Sequence, residues 1–256
     1  MSIKTLVLRT AGINCDAESE YAFRSLGSQV DRLHINRLKQ RVSLTDYQII
    51  CVPGGFSYGD DLGAGKIFSL ELLLWFKDQL QQFLKKDGLI IGICNGFQVL
   101  VKTGILPDTD FVQKVTLTDN DSGRFEDRWI HLKVPQDPSH PARRIWLKSL
   151  PEIIQLPVAH GEGKFFANDK VLDTINGSEQ VALRYVDASG KVSGYPANPN
   201  GSLESIAGIT DTQGKVFGLM PHPERCFQEH HHPFWQQKEK VTFGRKIFQN
   251  AIDYFK

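Results

Sequence analysis

The sequence has almost no imbalance of charge, few cysteines, no bilayer-length apolar run and no low-complexity tract. Each shortage removes a class of function. Lysine and arginine together number 30 against 29 aspartate and glutamate, a net charge of +1. Without a basic excess to neutralise phosphates, a general polyanion-binding role is excluded, leaving at most a local pocket for a phosphorylated small molecule. The longest largely apolar stretch, Ile67 to Phe76, is broken by Ser69 and Glu71 and falls short of the roughly 20 residues that span a bilayer. Met1-Ser-Ile-Lys-Thr-Leu-Val-Leu8 runs straight into a candidate strand without the regions of a signal peptide, so a cytoplasmic location is expected. The four cysteines, Cys15, Cys51, Cys94 and Cys226, show neither C-x-x-C pairing nor zinc spacing. Free thiols and no metal site are therefore expected. Cys51, inside the apolar run Ile49 to Val52, reads as core; Cys15 reads as a partly exposed residue of a loop or helix start. With no repeat or linker, residues 1–256 are expected to form a single domain.

What is present is a chain of two characters. Its first half alternates strand and helix signals: strands at Thr5 to Arg9, Gln29 to Ile35 and Gln48 to Val52, and helices at Asp16 to Leu26 and Ile67 to Lys86. Such alternation predicts an α/β fold with an open, largely parallel sheet flanked by helices. The second half carries shorter strand signals, at Trp129 to Val134, Gln155 to Ala159, Val181 to Val186, Ser205 to Thr210 and Val216 to Met220, separated by turns such as Asp187-Ala-Ser-Gly190. These predict antiparallel additions to the same domain, closed by a helix over Val241 to Tyr254.

The chemistry concentrates at Gly88-Leu-Ile-Ile-Gly-Ile-Cys-Asn-Gly-Phe-Gln-Val-Leu100. Leu89 to Ile93 reads as a buried strand, and Phe97 onward as a helix. Cys94 stands at the sharp turn between them, the nucleophile position of an elbow. The helix N-terminus behind it favours thiolate over thiol, and Gly92 and Gly96 remove the side chains that would block a tight strand–helix approach. A cysteine nucleophile needs a base and an orienting group. His222, in Met220-Pro-His-Pro-Glu-Arg225, is bracketed by two prolines, and Glu224 follows at a spacing that an extended segment would project to the same side. A carboxylate beside an imidazole fixes its tautomer and raises its basicity. His160, in Pro157-Val-Ala-His-Gly-Glu-Gly-Lys164, is a rival base, a substrate-binding residue or simply part of a glycine-rich turn. The run His230 to His232 reads as an exposed loop.

The glycine-rich segment Pro53 to Gly65 lacks the Gly-Lys-Ser/Thr ending of a nucleotide-binding loop, since Gly65-Lys66 is followed by Ile67. Its glycines suit an oxyanion hole instead, with the Gly55 and Asn95 amides paired around a tetrahedral oxygen. Gln98, one helical turn beyond Cys94, is a candidate substrate-binding residue. Ser122-Gly-Arg-Phe-Glu126, in a loop between the two halves, has no evident part in thiol chemistry and is expected to contact a partner.

Together these segments resemble the class I (triad) glutamine amidotransferases. Gly92-Ile-Cys-Asn-Gly-Phe-Gln98 matches that family's nucleophile motif and His222-Pro-Glu224 its His/Glu pair. Pro53 to Lys66, Asn120 to Trp129, Ala159 to Lys164 and Asn198 to Ser202 are similar to the glutaminase component of phosphoribosylformylglycinamidine synthase. One departure is Ala11, where that group has proline. The resemblance covers nearly the whole chain and implies a flavodoxin-like sheet, Cys94, His222 and Glu224 as catalytic residues, and no cofactor in this chain. It also implies that ATP and magnesium act on a separate synthetase subunit, which converts formylglycinamide ribonucleotide to the amidine, with room for a small third subunit. Three alternatives stay open: a glutaminase of another synthetase, a non-catalytic regulatory subunit and a stand-alone thiol hydrolase.

Overall fold

The computed structural model describes residues 2–236 and 242–256. In chain order the first half contains β1 (Lys4–Arg9), α1 (Asp16–Ser25), β2 (Gln29–His34), α2 (Ile35–Arg41), β3 (Ile49–Val52), α3 (Lys66–Lys85), β4 (Leu89–Ile93) and α4 (Asn95–Lys102). Every residue of β3 and β4 is buried. Strands covered on both faces by helices read as continuous apolar runs, which is how both were legible in sequence. In α3 the buried positions Phe68, Leu72, Phe76, Leu80 and Phe83 recur every three or four residues, one face of a helix turned to the sheet. The strand expected to reach Ile35 stops at His34, whose Nδ1 accepts the Asn36 N–H at 3.3 Å and caps α2. That seven-residue helix is too short and too polar to announce itself by periodicity.

The second half contains β5 (Thr116–Asp119), β6 (Glu126–Lys133), α5 (Pro141–Arg144), β7 (Ile153–His160), β8 (Glu162–Phe166), α6 (Asp169–Gly177), β9 (Val181–Val186), β10 (Ile206–Thr210), β11 (Val216–Leu219) and α7 (Phe243–Asp253). Nine strands form one sheet in the order β2-β1-β3-β4-β11-β10-β9-β6-β7. Neighbours from β2 to β11 run parallel; from β11 to β7 they run antiparallel. The fold is thus the expected α/β sheet with an antiparallel C-terminal extension. Along β7 buried and half-buried residues alternate strictly, the period-two signature of a strand with one covered face. The small β5–β8 pair lies outside the main sheet and was not anticipated: four residues of one and a Gly-containing segment of the other carry no alternation. Val241, the expected start of the closing helix, lies outside the described residues. Phe248 of α7 packs edge-on against Phe23 of α1, with centroids 4.9 Å apart, and docks the helix on the sheet's parallel half. Among the described residues no helix is long and apolar enough to cross a membrane.

Candidate active site

β4 and β11 are parallel neighbours with Ile93 paired to Leu219. Cys94 and Met220 therefore leave the sheet side by side, at the carboxyl ends where ligands of open α/β sheets bind. The Cys94 N–H donates to the Leu219 carbonyl at 2.8 Å. The Cys94 backbone has φ 51° and ψ −108°, a conformation that costs an L-residue free energy and is retained where the chain must turn abruptly from strand to helix. Tightness at the turn explains its glycines. A Cβ on Gly96 would overlap the Val52 carbonyl oxygen, and one on Gly92 would lie 2.7 Å from the Gly96 oxygen. Cys94 is 5% exposed, and its Sγ donates to the Ala159 carbonyl on β7 at 3.7 Å.

His222 is fixed by its own N–H, which donates to the Pro157 carbonyl of β7 at 2.8 Å. Its Nδ1 lies 2.5 Å from Glu224 Oε1, and both side chains are buried. The pairing does not use an extended segment as the spacing suggested; Pro223–Cys226 is a 3-10 turn, and the turn curls the carboxylate back under the ring. Burial alone would lower the His222 pKa, but the Glu224 carboxylate, with the nearby Cys94, outweighs it and holds the pKa well above its usual 6.5. Nε2 makes no full hydrogen bond among the described residues although Cys94 is close enough to act on the ring, a looseness common before substrate binds.

Gly54 closes the floor between these groups. A Cβ there would lie 2.9 Å from His222 Cε1 and 3.5 Å from Cys94 Cβ, so any side chain would come between Cys94 and His222. Gly55, at φ 142°, lines a cavity of about 180 Å³ that also reaches Cys94 and His222. Asn95 follows Cys94 directly. Its side-chain Oδ1 accepts the Ser57 N–H at 3.2 Å, and its Nδ2 donates to Asp60 at 3.2 Å, clamping the glycine-rich loop to the start of α4.

Two expected substrate-binding residues stand elsewhere. Gln98 Nε2 donates to the Glu162 carbonyl at 2.7 Å, and its Oε1 accepts from Asn95 Nδ2 at 3.0 Å. The amide is committed to holding loops together behind the nucleophile, outside the cavity lining. His160 is 2% exposed; its Nδ1 is 3.1 Å from Asn120 Oδ1, and burial pushes its pKa down to about 3. The neutral ring packs over Gly163 and is not among the residues that line the cavity.

The structure adds residues that sequence reasoning passed over. Cys15 is buried at the start of α1, not partly exposed, and its Sγ lies 4.0 Å from His222 Nδ1 and accepts from Arg225 Nη2 at 3.1 Å. Burial pushes this thiol's pKa up. Arg225, Asp127 and Phe125 line the same cavity, so the Ser122–Glu126 segment reaches the site after all. Phe125 stands beside Phe56 with centroids 6.2 Å apart, and both rings are exposed at the cavity mouth. Arg225 was legible as the residue after a His-x-Glu pair; Asp127 and Cys15 carried no local signal. Of the histidine run, His230 and His231 are exposed, but His232 is buried against Trp129 and bonds Gln155 at 2.8 Å.

An elbow cysteine, a buried His–Glu pair and a glycine-rich loop at the carboxyl ends of parallel strands are the features of a glutamine amidotransferase. The CobB/CobQ-like glutamine amidotransferase domain matches residues 2–255, and the chain belongs to that family. Within it, the chain is 47% identical over 257 residues to the phosphoribosylformylglycinamidine synthase subunit PurQ of Dehalococcoides mccartyi, covering 98% of this chain and 97% of that one. It is 37% identical over 270 residues to the PurQ subunit of Methanococcus maripaludis, with 98% and 97% covered. The solved structure of PurLQS from Thermotoga maritima matches with a TM-score of 0.76 and 32% identity over 100% of both chains. A glutamine amidotransferase from the same organism, at 16% identity and a TM-score of 0.58, shares the fold.

Proposed function

We propose that this chain is the glutaminase component of phosphoribosylformylglycinamidine synthase, releasing ammonia from glutamine for a separate synthetase subunit in purine biosynthesis. The observation that carries the chemistry is the strained Cys94 elbow set beside the buried His222–Glu224 pair. Full-length likeness to PurQ subunits and to a PurLQS assembly supports the synthetase and small-subunit partners. We take residues 1–256 as one domain because strands from both halves share one sheet.

The Cys94 thiolate attacks the side-chain carbonyl of glutamine, and the Gly55 and Asn95 amides hold the oxyanion. The His222 ring, kept protonated by Glu224, gives its Nε2 proton to the departing ammonia. It then takes a proton from the water that cleaves the γ-glutamyl thioester, freeing glutamate and Cys94. Among the residues that line the cavity, Asp127 suits the α-ammonium of glutamine and Arg225 its α-carboxylate. Asp127 pairs in register with Ala159, whose carbonyl accepts from Cys94 Sγ, so the two residues share one wall of the cavity. This chain needs no cofactor for these steps; ATP and magnesium belong to the synthetase, which activates formylglycinamide ribonucleotide in the cytoplasm.

The test is glutamine hydrolysis by the purified chain, alone and in complex with the synthetase, ATP and formylglycinamide ribonucleotide, with Cys94→Ala as control. Cys94-dependent hydrolysis that rises in the complex and yields the amidine is expected. No turnover in a verified complex would mean a binding subunit; equal activity with and without the partner would mean an independent hydrolase.

A further inference from the structure

The thiol at the site that glutamine hydrolysis leaves unused is Cys15. Its Sγ, a ring nitrogen of His222 and a carboxylate oxygen of Glu224 all lie within 4.8 Å of one another, and all three side chains are buried. The sulfur is 4.0 Å from Nδ1, and Nδ1 is 2.5 Å from Oε1. A tetrahedral zinc ion, with bonds of about 2.3 Å to sulfur and about 2.0–2.1 Å to nitrogen or oxygen, holds its ligand atoms roughly 3.3–3.7 Å apart by the same geometry. The sulfur, up to 4.8 Å from the carboxylate oxygen, must close in by about 1 Å, and the His–Glu pair must open by under about 1 Å. A second feature points to a ligand: Glu224 Oε2 is buried and has no hydrogen-bond partner among the described residues. One thiolate and one carboxylate would neutralise a divalent cation. The Arg225 guanidinium, now against Cys15, has a second partner in Glu18 at 3.5 Å toward which it can turn.

We propose that Cys15, His222 and Glu224 form an inhibitory site for a thiophilic divalent cation, with zinc as its type. Binding forms a sulfur–metal, an Nδ1–metal and an oxygen–metal bond. The Cys15 thiol proton and the Nδ1 proton leave to solvent, and a water completes the tetrahedron from the cavity. The histidine is then held by the ion in place of its carboxylate and cannot cycle a proton with Cys94 and the substrate. The site is invisible to spacing rules because Cys15 and His222 are 207 residues apart.

Cobalt(II) titration of the full-length Cys94→Ala protein tests the site without relying on catalysis. One equivalent should produce a thiolate-to-cobalt charge-transfer band, bleached by zinc, at least tenfold weaker in affinity with Glu224→Gln added, and absent with Cys15→Ser added. Zinc should also inhibit glutaminase activity of the wild-type complex at a concentration at least tenfold below that needed for Cys15→Ser, with recovery on adding chelator. The absence of the band in Cys94→Ala, its survival in Cys94→Ala/Cys15→Ser, or equal zinc sensitivity of wild type and Cys15→Ser would overturn the proposal. Because cobalt binding is read in a protein without its nucleophile, failure here leaves the glutaminase reading standing.

Discussion

Cys94 occupies a backbone region that glycine tolerates and other residues adopt at a cost of about 1–3 kcal/mol. That cost is a measurable signature of the elbow. Cys94→Gly and Cys94→Ala should both abolish turnover, but Cys94→Gly should be more stable than Cys94→Ala by about 1 kcal/mol, read as a higher denaturant midpoint at unchanged m. Equal stability would remove strain from the account. The His222–Glu224 pair makes a different prediction. Glu224→Gln keeps the shape and loses the charge that holds the imidazole protonated, so kcat should fall about 10²- to 10⁴-fold with little change in KM. His160 makes the fold sensitive to acid. Its folded pKa is pushed from 6.5 to about 3 by burial, with the His222 charge adding to it. Between those values the unfolded chain binds a proton that the folded chain refuses, so stability is lost as pH falls through that window. In His160→Asn the slope of unfolding free energy against pH should be shallower there by about 1.4 kcal/mol per pH unit; an unchanged slope would show that the ring titrates alike in both states.

At the scale of elements, the site is a meeting of ends: the end of β4 with the start of α4, the end of β11 with its 3-10 turn, and the glycine-rich loop after β3. Gly96 sets how closely the first two approach the third. Gly96→Ala places a methyl on the Val52 carbonyl and should destabilise by roughly 3 kcal/mol or more, with thermal unfolding as the readout. The strands β3 and β4 and the helix α3 were legible because burial on two faces, or on one helical stripe, leaves a direct trace in the order of apolar residues. The helix α2 and the pair β5–β8 left none. Both are short and partly polar, and β5 and β8 take their backbone partners from distant chain, as in the Leu117–Phe165 register. The loop carrying Phe125 makes the same point for function. Phe125→Ala should raise the KM for glutamine if the ring covers the cavity, and should weaken complex formation if it also meets the synthetase; an unchanged KM and intact coupled activity would leave it neither role.

For the whole molecule, the parallel half of the sheet builds the chemistry and the antiparallel half completes its walls. β7 receives the His222 N–H through Pro157 and touches Cys94 through Ala159. The last strand of the extension therefore curls back over the carboxyl ends of β4 and β11, and a nine-stranded sheet encloses a site that its first five strands alone would leave open.

The amino-acid order by itself determined the class of fold, the elbow at Cys94, and the pairing of His222 with Glu224, because each is written in a local pattern: an apolar run ending in Cys94 between two glycines, and His222 two residues before Glu224 between prolines. The tertiary structure alone decided which other residues stand around them. It brought Cys15, Asp127 and Arg225 to the cavity and held Gln98 and His160 outside it. Contacts between residues far apart in the chain are set by strand order and register, and these depend on how the whole apolar surface packs rather than on any single stretch of sequence.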